Sequence, residues 1–273
     1  MAVLQISPYA MGLNGVIEAI GEASFGPQLV RFLHDATGAE HVAVFALAGA
    51  RPCGIDAISL DGTDTARRRS DLYLGKDLWR RDPVMELACQ SLADESPHLA
   101  YLEVSAITDA QLRSIVYPRM GERSFLYGPS VAGRIGLSIV SSASGNADRA
   151  NHLLMEMGGL LLAIVGKHVN AADQRRRLLS ALTSLSEIEQ CVAMAPERFP
   201  PRETQVCARI LYGVSTLGIA LELGVGEETV QTYRKRLYNR LGISSQRELL
   251  LWYVATWAKL NDQVHPLASG SMH

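Results

Sequence analysis

The chain has 273 residues, 48% apolar and 20% charged, which describes an ordinary globular protein long enough for two domains with real cores, with no low-complexity tail in evidence. Its longest strongly apolar run, 158–166, is too short to span a bilayer, and the opening MAVLQISPYA lacks a basic leader, so a cytoplasmic protein that engages no membrane is expected. Cys53, Cys89, Cys191 and Cys207 lie far apart without CxxC or Cys/His spacing, which argues for free, mostly buried thiols and against a metal site.

In chain order, 13–20 and 25–37 read as two helices broken by the glycine-bearing segment 21–26. The period then shortens: 41–49 and 54–60 read as an antiparallel hairpin. Residues 66–79 read as a helix, and a further helix runs over 82–92 with Asp82 as N-cap and Pro83 in its first turn. A strand at 99–104, a short helix at 109–116 and strands at 123–130 and 134–142 follow, then a turn at Gly145 and Asn146 and a long helix over 147–169. Helices flanking an antiparallel sheet of about five strands give an α+β fold, a PAS- or GAF-like sandwich of the sensor kind, over 1–172.

Residues 173–198 form an interdomain helical linker, in which Leu178, Leu182, Leu185, Ile188 and Val192 make a stripe at steps of three and four that is either core or an intermolecular helix pair. The QRRR at 174–177 either touches nucleic acid or solvates this linker. Beyond it, 199–260 reads as an all-α four-helix domain. Leu217, Ile219, Ala220 and Leu223 sit at helical spacing up to Gly224, which supplies a positive-φ turn. A second helix starts near Glu227, where Glu227 and Glu228 favour the positive end of the helix dipole. Val230, Tyr233, Leu237 and Leu241 mark its apolar face, and Glu228, Gln231, Thr232 and Lys235 the opposite one. Gly242 ends it, a fourth helix runs from about 245 to 259, and 261–273 reads as a disordered tail.

PPRETQV at 200–206, G-x-S at 213–215, Ile219-Ala220, Thr229-Val230 and RLGIS at 240–244 together resemble the C-terminal helix-turn-helix domain of LuxR-type bacterial transcription regulators. The resemblance implies double-stranded DNA as partner, with Glu228, Gln231, Thr232 and Lys235 as base readers, and Arg202, Thr216, Arg234 and Arg240 as phosphate contacts or structural ion pairs. It also implies a homodimer through the last helix, whose Leu250, Trp252, Tyr253 and Trp257 belong to a crowd of apolar residues too wide for one small core. This chain departs from the family pattern at Pro200, Thr216-Leu217-Gly218, Gln231, Tyr233 and Gln246, so no operator sequence carries over.

Tyr73, nine residues before Asp82-Pro83-Val84, matches the spacing of the same family's autoinducer-binding domain, where that Tyr and Asp line the ligand pocket. The resemblance implies a small-molecule pocket at Tyr73, Trp79, Asp82, Tyr101 and Phe125, although Asp82 also serves as a plain cap and the aromatic residues as plain core. Arg69 stands where the family has Trp and Phe125 where it often has Gly, which counts against a lactone and leaves the pocket altered, occluded or empty.

Split by segment, 197–260 carries nine basic and six acidic residues, +3, so the remainder of this −2 chain is −5: a modestly basic module on an acidic sensor. GVG at 224–226 lies between helices and cradles no phosphate; Gly136-Leu137-Ser138 lacks the last glycine of a nucleophile elbow; His34, His41, His98, His152 and His168 have no motif partner. No catalytic constellation and no cofactor site is read. The expectation is a DNA-binding transcription regulator controlled by a small molecule or partner at its N-terminal domain, or else a ligand-independent regulator whose sensor-like domain is a dimerisation or docking scaffold.

Overall fold

The computed structural model describes residues 8–47, 49, 51–90, 95–142 and 147–264, and the chain divides into two compact units, Met1–Asp173 and Gln174–His273. The first holds α1 (Pro8–Glu18), α2 (Phe25–Thr37), β1 (His41–Ala46), β2 (Cys53–Ser59), α3 (Thr65–Gly75), α4 (Pro83–Gln90), β3 (His98–Glu103), α5 (Ala110–Val116), β4 (Glu122–Ser130), β5 (Gly133–Ser141) and most of α6 (Ala147–Thr183). All five strands are antiparallel in the order β2-β1-β5-β4-β3. The α+β class expected from the sequence is the one observed. The expected turn at Gly145 and Asn146 lies outside the described residues.

Alternation along the central strands sends side chains to two helical layers, so the sheet is buried on both faces. On one face Val42, Val44, Leu126, Ile135, Leu137 and Ile139 pack against Val16 of α1, Leu29 and Leu33 of α2, and Leu154, Leu161 and Val165 of α6. On the other, Phe45, Phe125, Tyr127 and Val140 meet Tyr73 of α3, Trp79 in a 3₁₀ turn at Leu78–Arg81, Met85 of α4 and Leu112 of α5. By length and composition α6 contains a stretch able to cross a membrane, but its Leu154, Leu161, Leu162, Ile164 and Val165 are buried in the core of the unit. It is also longer than expected: nothing in AADQRRRLLSALT breaks a helix, and it runs on to Thr183.

The second unit contains the end of α6, α7 (Leu185–Ala193), α8 (Pro201–Tyr212), α9 (Thr216–Leu223), α10 (Glu227–Leu241) and α11 (Gln246–Val264). Ile188 and Val192 of α7 share one core with Val206, Cys207 and Ile210 of α8, Ile219 of α9, Val230 and Leu237 of α10 and Leu249 of α11. Of the stripe read in the linker, Leu185, Ile188 and Val192 therefore pack in the core of the second unit, while Leu178 and Leu182 stay exposed. Helix α11 continues to Val264, into the segment read as a disordered tail, whose residues 265–273 lie outside the described ones. Of the four thiols only Cys191 and Cys207 are buried; Cys89 is half-buried and Cys53 exposed, on the edge strand β2.

Candidate functional site

Helices α9 and α10 form a helix-turn-helix whose geometry follows from three local choices. Ser215 caps α9, its Oγ accepting from Gly218 N–H at 3.1 Å. Gly224 closes α9 at φ +66°, a conformation glycine adopts without the steric cost of a side chain, and Val225 N–H returns to Ala220 O at 3.0 Å. Gly226 then opens α10, with Glu227 and Glu228 in its first turn. At about 1.5 Å per residue α10 is roughly 22 Å long, and it buries only Val230, Leu237 and Tyr238. Tyr233 is half-buried against the same core.

The opposite face of α10 carries Glu228, Gln231, Thr232 and Lys235, all exposed. Thr232 Oγ1 donates to Glu228 O at 2.9 Å, so its hydroxyl is spent on the helix. A cleft of about 220 Å³ opens beside this face, rimmed by Ser215, Thr216, Gln231, Arg234 and Gln246. The other sequence candidates divide. Arg202 is exposed and bonded to Gln205 Oε1 at 3.0 Å. Arg234 lies over the Tyr238 ring at 5.1 Å, and Arg240 pairs with the buried Glu203 at 3.5 Å and lies over Phe199, a structural role.

On α11 the four residues expected at a dimer contact also separate. Tyr253 is 1% exposed and its hydroxyl donates to Ala181 O at 2.5 Å, so it belongs to the core. Trp252 donates to Glu197 Oε1 at 3.0 Å and meets Phe199 edge-on, while Trp257 packs against the same cluster. Leu250 is exposed, together with Leu251, Val254, Ala255 and Ala258, an apolar stripe along one side of the helix.

In the first unit Asp82 is 1% exposed and all its acceptor capacity is used. Its Oδ1 accepts from Val84 N–H at 3.0 Å and Met85 N–H at 3.4 Å, the expected cap of α4; its Oδ2 accepts from Tyr73 OH at 2.7 Å and Arg123 Nη1 at 2.5 Å. These four donors match the roughly four lone-pair sites of a carboxylate. Arg123, also 1% exposed, gives Nε–H to Ser138 Oγ at 3.1 Å, and its guanidinium lies 5.0 Å from the Phe125 ring and 5.6 Å from the Tyr117 ring. Burial alone would lower the Arg123 pKa, but the Asp82 carboxylate with the Tyr117 and Tyr73 hydroxyls turns the net shift upward, so the guanidinium is charged. Burial, reinforced by the Asp82 charge, raises the Tyr73 pKa and keeps that phenol protonated as a donor.

Tyr73, Trp79, Asp82 and Phe125 therefore share one buried face of the sheet, as the sequence grouped them. Tyr101 does not join them. It sits between Ala100 and Leu102 on the edge strand β3, where its neighbours pack inward and it is 39% exposed. The residue that sequence reasoning missed is Arg123. It reaches Asp82 across 41 positions only because β4 puts it on the same face as Phe125. Space beside the network amounts to a cavity of about 40 Å³ lined by His41, Phe45, Arg69, Tyr73, Tyr117 and Arg123, among others. Phe125 packs closely against the neighbouring strand, where a Cβ on Gly136 would stand 2.4 Å from its ring.

Residues 197–253 match the family model described as bacterial regulatory proteins, luxR family. A putative HTH-type transcriptional regulator encoded in the exeN 3′ region of Aeromonas salmonicida is 44% identical over 69 residues, 24% of this chain and 35% of that protein. The probable HTH-type transcriptional regulator GfsR of Streptomyces halstedii is 35% identical over 51 residues, 19% and 21% of the two chains. The chain thus spans about a third or less of the length of these curated relatives. Among solved structures, the VqsR LBD domain of Pseudomonas aeruginosa aligns at 12% identity with a TM-score of 0.45, over 61% of this chain and 99% of that one. SdiA of Escherichia coli aligns at 12% identity and a TM-score of 0.38, over 92% and 98%. Through the match over 197–253, which takes in the capped α9, the glycine turn and the polar face of α10, the C-terminal unit carries a helix-turn-helix domain of the LuxR family of bacterial regulatory proteins.

Proposed function

We propose that this chain is a sequence-specific DNA-binding transcription regulator that acts as a homodimer. The observation that carries the reading is the exposed face of α10, Glu228, Gln231, Thr232 and Lys235, in a LuxR-family domain whose opposite face is anchored by Val230 and Leu237. Gln231 offers a bidentate amide suited to adenine and Lys235 a cation suited to guanine O6 and N7. Thr216 and Arg234, on the cleft beside this face, and the exposed Arg202 serve as phosphate contacts, with Arg240 holding Glu203 within the domain. The apolar stripe Leu250, Leu251, Val254 on α11 supports pairing of two such domains, which would set recognition helices about 34 Å apart, one turn of B-DNA.

Two modes of control were open from the sequence, a small molecule and a ligand-independent scaffold. The saturated Asp82 carboxylate, with Arg123 and Phe125 packed beside it, favours the second.

Selection from a random duplex library with the full chain tests the function. The expected product is an inverted repeat with half-sites about one helical turn apart. Lys235→Ala and Gln231→Ala should each weaken binding to it by about 1–3 kcal/mol and relax preference at one position per half-site. Recovery of no enriched sequence would overturn the proposal.

A further inference from the structure

We propose that Arg123 is the built-in occupant of the site around Asp82, an internal cationic ligand that takes the place of a diffusible one and fixes the fold of the first unit without it. A small molecule that took Asp82 or Tyr73 as its polar anchor would have to displace a partner already bound there. Both are committed: the carboxylate has four donors, and the phenol spends its proton on that carboxylate. Competition for Asp82 leaves the Arg123 guanidinium charged, 1% exposed and without its anion. Unpairing a buried ion pair in this way would weaken a competing ligand by on the order of 10²- to 10³-fold.

Volume points the same way. Ligand sites for small organic molecules run to roughly 300–1,000 Å³, whereas the space beside the network is about 40 Å³. Packing around the network is close. Phe125 lies against the Gly136 backbone, and the Arg123 guanidinium lies 5.0 Å from the Phe125 ring and 5.6 Å from the Tyr117 ring with Nε–H on Ser138. The planar cation is thus bound as a ligand would be, by one carboxylate, one hydroxyl and two aromatic rings, except that the backbone delivers it from β4.

The test is chemical replacement of the tethered group, read by thermal unfolding of the full chain. Arg123→Ala removes the guanidinium and leaves a cavity of its shape, and methylguanidinium at millimolar concentration is the probe. Its expected effect is a saturable rise in the unfolding midpoint of Arg123→Ala, with no rise for wild type or for Arg123→Ala combined with Asp82→Asn. An Arg123→Ala chain as stable as wild type, or one that folds and does not respond to the probe, would overturn the proposal. If that variant does not fold, Arg123→Lys and wild type decide it. Arg123→Lys should fold with a lowered midpoint, since it keeps the charge and loses the planar fork; a midpoint equal to wild type contradicts the proposal. Native mass spectra of wild type purified from rich medium should show a species free of any adduct, and a stoichiometric small-molecule adduct lost on Phe125→Trp or Asp82→Asn would likewise overturn it. None of these readouts involves DNA, so their failure and failure of the DNA-binding reading are separable.

Discussion

Replacing Asp82 by Ala removes one carboxylate that makes three kinds of contact with four donors, and the structure sets the size of the loss. Arg123 becomes an unpaired cation at 1% exposure, a change of about 3–5 kcal/mol. The α4 cap, made to Val84 and Met85 N–H, is worth about 1 kcal/mol, and the orphaned Tyr73 hydroxyl about 1–3 kcal/mol. Because all three share one group they do not add, and about 5 kcal/mol in total is expected. That approaches the whole stability of a small domain, roughly 5–15 kcal/mol. Asp82→Asn retains an oxygen for the cap and should lose about 1 kcal/mol less. Hydrogen exchange followed by mass spectrometry on the full chain measures this locally, with β4 and β5 peptides reporting the first unit and α8 and α10 peptides serving as an internal reference. If Asp82→Ala lowers protection of β4 and β5 by less than about 1.5 kcal/mol, the buried pair does not hold the site and the reasoning is refuted.

Three further predictions concern packing, pH and assembly. Gly136→Ala forces a Cβ to 2.4 Å from the Phe125 ring and should destabilise the first unit by about 1–3 kcal/mol, with Phe125→Leu in the same chain recovering part of the loss; equal midpoints in thermal unfolding would contradict it. Burial raises the Cys191 thiol to about 11 and, with the Cys191 charge adding to burial, Cys207 to about 12. The unfolded chain therefore gives up these protons first, so stability of the second unit should be fully present below about pH 9 and fall as pH rises from there through 11 and 12; a Cys191→Ala, Cys207→Ala chain should show a shallower alkaline loss in urea titrations. On α11, Leu251→Asp should shift sedimentation velocity from dimer to monomer, whereas Tyr253→Phe should leave the assembly state unchanged and weaken folding by about 1 kcal/mol through its lost bond to Ala181 O.

The parts legible in the sequence were those set by short-range chemistry. Asp82 before Pro83 announced a cap; Gly224 and Gly242 marked the C-terminal ends of α9 and α10; and alternation in 123–130 and 134–142 placed two central strands within a residue of their observed limits. What escaped depended on long-range placement. Arg123 reads as one more charge until strand pairing sets it beside Ser138 and over Asp82. Tyr101 looked like a pocket residue, yet the parity of β3 turns it outward, a one-residue distinction that composition does not contain. The crowding on α11 correctly signalled more apolar surface than one core needs, but which residues face inward depends on Ala181, 72 positions earlier, receiving the Tyr253 hydroxyl. Helix α7 reads as a linker helix for a similar reason: its partner surface, on α8, is supplied by the next segment.

The most direct test is an equilibrium titration by fluorescence anisotropy of a selected inverted-repeat duplex with full-length chain that has been unfolded in denaturant, freed of small molecules by dialysis, and refolded. The expected result is binding of two chains per duplex, at least about 10³-fold tighter than to a scrambled duplex and weakening as salt rises, with the same affinity before and after refolding. Equal binding to both duplexes, or none to either, would contradict the assignment of α10 as a DNA-reading helix.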